Sequence, residues 1–231
     1  MQQFFTPDID LTSESYSFNE VESKHMAKVL RKNRGDLLHL TNGRGQLITA
    51  KLSLVSLKNC VVKLLEIKEI PASKTAIHML VALTKNISRF EWFLEKATEL
   101  GVYKITPVLC DRSERKHIKY ERFEKIIHAA LKQSLRAYAP ILEPLTPLKE
   151  IEVNIPTFMA HCEDSPKESL KSAVNGQANC SILIGPEGDF SKAEIAWANE
   201  QNITAVHLGS NRLRTETAAL AALHTALLMN Q

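Results

Sequence analysis

The residues best placed to do chemistry lie close together near the C-terminus. Gly185-Pro186-Glu187-Gly188 closes the apolar, β-branched run Ser181 to Ile184, and Gly209 closes a second run from Ile203 to Leu208. Each fits a buried strand ending in a turn that glycine permits. Such loops present backbone N–H and C=O groups to a ligand, which suits the base and ribose of an adenosine-type cofactor better than a polyphosphate. The polyphosphate signatures GxGxxG and GxxxxGK[ST] are absent, as is a Gly-x-Ser-x-Gly nucleophile elbow. After the second loop come Arg212-Leu213-Arg214-Thr215-Glu216-Thr217, placing two guanidiniums and a carboxylate at the start of a last apolar helix.

The elements that must position these groups can be read from the spacing of apolar residues. Ser191 and Glu194 form a capping-box pattern that starts a helix running to about Gln201. Thr215 or Thr217 can cap the last helix through Ala218, Leu220, Leu223 and Leu227. Upstream, the strands Thr75 to Leu83, Val102 to Leu109 and Pro156 to Cys162 alternate with helices. The first helix has a Ser88/Glu91 capping box, an apolar stripe of Phe90, Phe93, Leu94, Ala97 and Leu100, and a stop at Gly101. Two more run from about Lys119 to Tyr138 and near Pro166 to Val174. This alternation predicts an α/β domain over residues 75–231, with a mostly parallel sheet covered on both faces. Ligands of such sheets sit outside the carboxyl ends of the strands.

Residues 1–70 read differently. Asp36 to Leu40, Leu47 to Leu54 and Cys60 to Ile67 are short strands, with Asn42-Gly43 as a hairpin signal and a brief helix over Val21 to Leu30. They predict a small β-rich, barrel-like domain, joined to the second by the linker Ile70-Pro71-Ala72-Ser73-Lys74.

A chain of 231 residues with 44% hydrophobic and 24% charged residues is an ordinary globular composition. The formal net charge is +3, but it is unevenly distributed. Lys24, Lys28, Arg31, Lys32 and Arg34 fall in one stretch without an acidic residue, and Arg112 to Arg136 is a second basic stretch. Both could face phosphates, and both could be solvated faces. Cys60, Cys110, Cys162 and Cys180 are scattered with no CxxC, so reduced thiols and no metal site are expected, although His161-Cys162-Glu163-Asp164 is a ligand cluster on paper. The N-terminal residues show no secretory pattern, and no apolar run approaches the roughly 18 residues of a membrane span. A soluble, cytoplasmic protein without membrane contact is the expectation.

Leu183-Ile184-Gly185-Pro186-Glu187-Gly188, Leu208-Gly209 and Leu213-Arg214-Thr215-Glu216-Thr217-Ala218 together resemble the C-terminal signature of the SPOUT methyltransferases. Within them the match is to the bacterial 16S ribosomal RNA uracil-N3 methyltransferases of the RsmE type. Lys96 to Val102, Arg112-Ser113, and Gln133-Ser134 with Arg136 and Pro140 follow that family's order, and His25, Val29-Leu30-Arg31 and Gly35-Asp36 resemble its PUA-like RNA-binding module. The resemblance spans nearly the whole chain. It departs at three places: Asp189 replaces a second glycine, Asn211-Arg212 shifts a charge by one position, and Lys132 stands where glutamate is common.

The resemblance implies a SPOUT-type, trefoil-knotted, mostly parallel sheet preceded by a PUA-like barrel, acting as a homodimer on 16S ribosomal RNA or the small-subunit particle. It implies S-adenosylmethionine bound at Leu183, Ile184, Gly185, Glu187, Gly188, Leu208, Gly209, Leu213, Thr215 and Thr217. Arg214 is then the candidate to stabilise negative charge on the uracil oxygens, and Glu216 the candidate to orient that arginine or the base. RNA phosphates are assigned to Lys24, Lys28, Arg31, Arg34, Arg112, Arg115, Lys116 and Arg136. Two competing readings are a non-catalytic RNA-binding or ribosome-assembly factor on the same fold, and a 2′-O-methyltransferase of transfer RNA.

Overall fold

The structure is a computed structural model that describes residues 3–230. The chain divides into two compact units, Met1–Ala72 with Leu131–Ala139, and Ser73–Ala130 with Pro140–Gln231. Leu131–Ala139, which the sequence places in the second domain, thus belongs to the first unit.

In the first unit the strands are β1 (Gln3–Phe5), β2 (Ser15–Ser17), β3 (Leu37–Thr41), β4 (Gln46–Leu54) and β5 (Val61–Glu69). Among the described residues they form one sheet in the order β1-β3-β4-β5-β2, parallel only between β1 and β3. Register shifts between β4 and β5 bend the sheet, as bulges do. Phe4, Met26, Leu40, Ile48, Leu52 and Val62 fill its core. The short helix α1 (Glu20–Lys24), capped by the Asn19 side chain, passes directly into a π-helical turn over His25–Val29.

The second unit contains the strands β6 (Ala76–Ala82), β7 (Lys104–Leu109), β8 (Ile141–Leu142), β9 (Thr146–Pro147), β10 (Thr157–Ala160), β11 (Glu168–Ser169), β12 (Asn179–Ile184) and β13 (Thr204–His207). They lie in the order β11-β13-β10-β12-β6-β7-β8, with β9 also on β7, and every pairing is parallel. Side chains alternate along β6. Ile77, Met79 and Val81 pack with α2 (Ile87–Leu100) and α6 (Thr215–Met229), while Leu80 and Ala82 pack with Phe190 and α5 (Lys192–Glu200) on the other face. The fully buried Phe90 and Phe93 of α2 contribute about 1.5–3 kcal/mol each by leaving water. His78 is half-buried between Thr106 Oγ1 at 2.7 Å and Ser181 Oγ at 3.4 Å, and its desolvation pushes its pKa down to about 4.

Several helix ends differ from the expected ones. Asn86, not Ser88, caps α2 by accepting from Ser88 N, and Glu91 is instead paired with Arg122 at 2.5 Å. The predicted stop at Gly101 takes φ 95°, in the left-handed region. α3 (Tyr120–Gln133) ends before Tyr138 because Leu135 turns to φ 55°. The helix expected near Pro166 to Val174 is reduced to α4 (Leu170–Ala173). Arg214 stands at the N-cap of α6 with no side-chain cap, whereas the Ser191/Glu194 box of α5 forms in full.

Candidate active site

A cleft of about 390 Å³ opens at the carboxyl ends of the parallel strands. One wall is the end of β12 and the turn after it: Ile184, Gly185, Pro186, Glu187 and Asp189. Opposite stand Arg212, Leu213 and Arg214 with Thr215 and Ala218 of the first turn of α6. Thr215 Oγ1 donates to Gly185 O at 3.0 Å, tying the start of α6 to the turn. Ala160 and Cys162 from the end of β10 complete the lining, as does Arg89 of α2.

The turn is fixed by four separate groups. Glu187 accepts from Lys85 N at 3.0 and 3.3 Å, so its carboxylate caps a backbone N–H. Arg112 donates to Gly188 O at 2.8 Å and to Phe190 O at 3.1 Å. Asp189 takes φ 62°, with its N–H on Pro186 O and its Oδ2 accepting from Cys162 N at 2.8 Å. Asp189, which replaces a glycine of the family pattern, thus adopts the left-handed conformation more usual for glycine, and its side chain is used to hold it there. A Cβ at Gly185 would stand 3.0 Å from the Phe190 ring, so a side chain there would press on that ring.

Of the expected cofactor residues, Ile184, Gly185, Glu187, Leu213 and Thr215 line the cleft. Leu183 points to the other face of the sheet and is fully buried beside Phe190. Gly188, Leu208, Gly209 and the exposed Thr217 lie outside the lining. The two glycine loops do not follow adjacent strands, because β10 runs between β12 and β13. A gap of two strand spacings, about 9–10 Å, therefore separates their starts.

Arg214 lines the cleft and is exposed. Glu216 sits outside the lining, 8% exposed, with Oε1 at 3.7 Å from Arg89 Nε and Oε2 buried without a hydrogen-bond partner among the described residues. Arg89 and Ala160 were not named from the sequence, Pro186, Ala218 and Cys162 were named there but not as cofactor or catalytic residues, and Asp189 was noted as a departure and Arg212 as a departure and a charged group of the loop. One signal did exist for Arg89: a cation in the first turn of a helix opposes the helix dipole.

Among the expected RNA contacts, Lys28, Arg31 and Arg34 are exposed and form no ion pair among the described residues, with Arg31 at φ 50°. Lys24 is paired with Glu20 at 2.6 Å, and Lys132 with Glu22 at 3.2 Å. Arg112 is committed to the turn. Arg115 donates to Lys85 O at 3.2 Å, Lys116 is exposed beside it, and Arg136, half-buried, belongs to the first unit.

Residues 71–227 match the family model of an RNA methyltransferase domain, and residues 18–65 match that of an RNA methyltransferase PUA domain. The chain belongs to the RNA methyltransferase family. A ribosomal RNA small subunit methyltransferase E from Rickettsia conorii is 29% identical over 86% of this chain and 83% of its own length. A probable rRNA-methyltransferase from Porphyromonas gingivalis is 32% identical, covers 100% of this chain and 98% of its own, and superposes with a TM-score of 0.92. A small subunit methyltransferase E from Neisseria gonorrhoeae, solved bound to S-adenosyl methionine, is 25% identical with a TM-score of 0.88 over 99% of this chain and 98% of its own. In this family member the donor set fits such a ligand. Ile184, Pro186, Leu213 and Ala218 offer apolar walls for a base, the turn and the start of α6 offer backbone groups for the ribose and carboxylate, and a cleft of this size is typical of cofactor sites.

Proposed function

We propose that this protein is an S-adenosylmethionine-dependent methyltransferase acting on N3 of a specific uridine of 16S ribosomal RNA. The observation that carries this reading is the cleft between the glycine turn after β12 and the start of α6, held together by Thr215 and bordered by Arg89, Arg212 and Arg214. The cofactor supplies an electrophilic methyl on a sulfonium. The chain's own residues must hold the acceptor nitrogen in line with it and favour the uracil anion as the N3 proton passes to solvent water.

Arg214 donates to the uracil oxygen where negative charge develops, a role that suits an always-charged, planar guanidinium. Glu216 acts from behind the cleft by orienting Arg89, which presents a second guanidinium to the same space. Holding the two reactants in line is worth at most about 7–11 kcal/mol of the barrier. Leu208 and Gly209 join the cofactor contacts if the loop 208–213 closes over the bound ligand, and Lys28, Arg31, Arg34 and Lys116 bind phosphates of the RNA. The target base must leave its stack to reach the cleft, so an unpaired nucleotide is the easier substrate.

The proposal extends to a trefoil knot in the second domain, a PUA-like domain over 1–70 and a catalytic domain over 75–231, a homodimer, and a cytoplasmic site of action on ribosomal RNA or the small-subunit particle. Mass spectrometry of 16S RNA digests from a deletion strain tests it. N3-methyluridine should disappear and return on complementation; loss of a 2′-O-methyl nucleoside, or no change, contradicts it.

A further inference from the structure

A second recess, of about 280 Å³, lies on the sheet of the first unit, and none of its residues has a part in the methyl-transfer site. Its floor is a single row across four strands. Gln3 is opposite His39, His39 opposite Thr49, and Thr49 opposite Glu66, so the four side chains emerge on one face. Lys68 stands two residues beyond Glu66 on the same face, and Leu135 forms a wall.

Four features set this row apart from an ordinary solvated sheet face. The strand pairing slips beside it: Thr49 faces Glu66 but Ala50 faces Leu64, which leaves Leu65 as the extra residue of a bulge next to Glu66. Leu135 holds φ 55°, a left-handed conformation unfavourable for a bulky side chain, at a helix end where glycine would be free of strain, and it remains 41% exposed. Gln3 is fixed, 4% exposed, with Nε2 on Arg136 O at 2.8 Å. Among the described residues, Glu66 and Lys68 are exposed and form no ion pair with each other.

We propose that this recess binds an unstacked guanine of single-stranded RNA. Guanine alone among the four bases presents two adjacent donors, N1–H and the 2-amino group, and a carboxylate accepts both at once. Adenine and cytosine offer one donor next to an acceptor, and uracil offers one donor between two acceptors. Glu66 is the acceptor pair, His39 and Lys68 supply N–H donors for O6 and N7, and Leu47 and Leu135 cover the flat face of the base. The proposal rests on RNA being the substrate. It adds a base-reading contact to a domain whose other assigned residues touch phosphates.

The test is fluorescence anisotropy of the full chain with three labelled hexaribonucleotides of uridine, carrying at one position guanosine, adenosine or inosine, at one fixed salt concentration. The guanosine strand should bind about tenfold more tightly than the adenosine strand, with inosine, which lacks the 2-amino group, between them. Glu66→Gln should remove that ranking. Leu135→Gly, which relieves the backbone strain and so should not lower Tm, should weaken guanosine binding about tenfold. Equal binding of the guanosine and adenosine strands by the wild type, or a preference that survives both variants, overturns the proposal. Calorimetry with S-adenosylhomocysteine separates this from the methyltransferase reading: both variants should bind it as the wild type does, and a wild type that failed to bind it would count against that reading and not against the recess.

Discussion

The two glycine loops of the catalytic domain each close an apolar strand, but they are opposite in construction. The turn after β12 is held at Gly185, Glu187, Gly188 and Asp189 by Thr215, Lys85, Arg112 and the N–H of Cys162. Among the described residues the loop after β13 is tied at its start by Gly209 N–H donating to His207 Nδ1 at 3.2 Å, and residues 209–214 are all exposed. A Cβ on Gly209 would meet nothing within 4 Å, whereas one on Gly185 would press on Phe190. The first loop is a preformed wall made of backbone. The second carries the charged side chains, Arg212 and Arg214, on a segment with few contacts, as expected of a part that moves to meet a ligand.

The largest effect that would sharpen this contrast is expected at Arg214. Arg214→Ala should lower kcat by about 100- to 1,000-fold, the usual loss for one donor to a developing oxyanion, while S-adenosylhomocysteine affinity stays within about twofold. An equal loss of both would place Arg214 with the wall instead. Arg112→Ala should act in the opposite way. Removing the donor to two turn carbonyls should weaken S-adenosylhomocysteine binding on the order of tenfold in calorimetry and leave the salt dependence of RNA binding unchanged. If Arg112 were a phosphate ligand, as its sequence context suggests, log K against log[salt] would flatten by about 0.7–0.9 instead.

Smaller effects concern the backbone. Asp189→Ala loses the bond to Cys162 N and leaves a Cβ at φ 62°, for an expected cost of about 1–2 kcal/mol, whereas Asp189→Gly trades the lost bond against relief of strain and should lie within about 1 kcal/mol of wild type in thermal unfolding. Gly209→Ala meets no atom, so its cost is that of φ 123° alone, about 1–3 kcal/mol. The smallest change is expected at Lys28, where Ala should flatten the salt slope by about 0.7–0.9 and alter nothing in the cleft.

Much of this architecture was legible because it is local. The parallel sheet followed from apolar runs alternating with periodic stripes, and the Ser191/Glu194 cap needed only two residues three apart. What was hidden depended on strand order. Leu183 and Ile184 are neighbours in the chain, but they face opposite sides of β12, so only Ile184 reaches the cleft. Ala160 and Cys162 became part of the site because β10 lies between β12 and β13, which no spacing in the sequence reveals. Arg112 sits in a basic stretch that suggests phosphate, but its guanidinium is used 76 residues away on Gly188. Leu135 ended α3 early because a leucine took a conformation that glycine usually marks.

The most direct test of the account is calorimetric titration of the wild type and of Ala218→Phe with S-adenosylhomocysteine. Ala218 lines the cleft from the first turn of α6, so a phenyl ring there should fill the space a base would occupy. One molecule bound per chain by the wild type, and at least tenfold weaker binding by a folded Ala218→Phe, is the predicted result. No binding by the wild type, or equal binding by both proteins, would show that the methyl donor does not sit between the turn and the last helix.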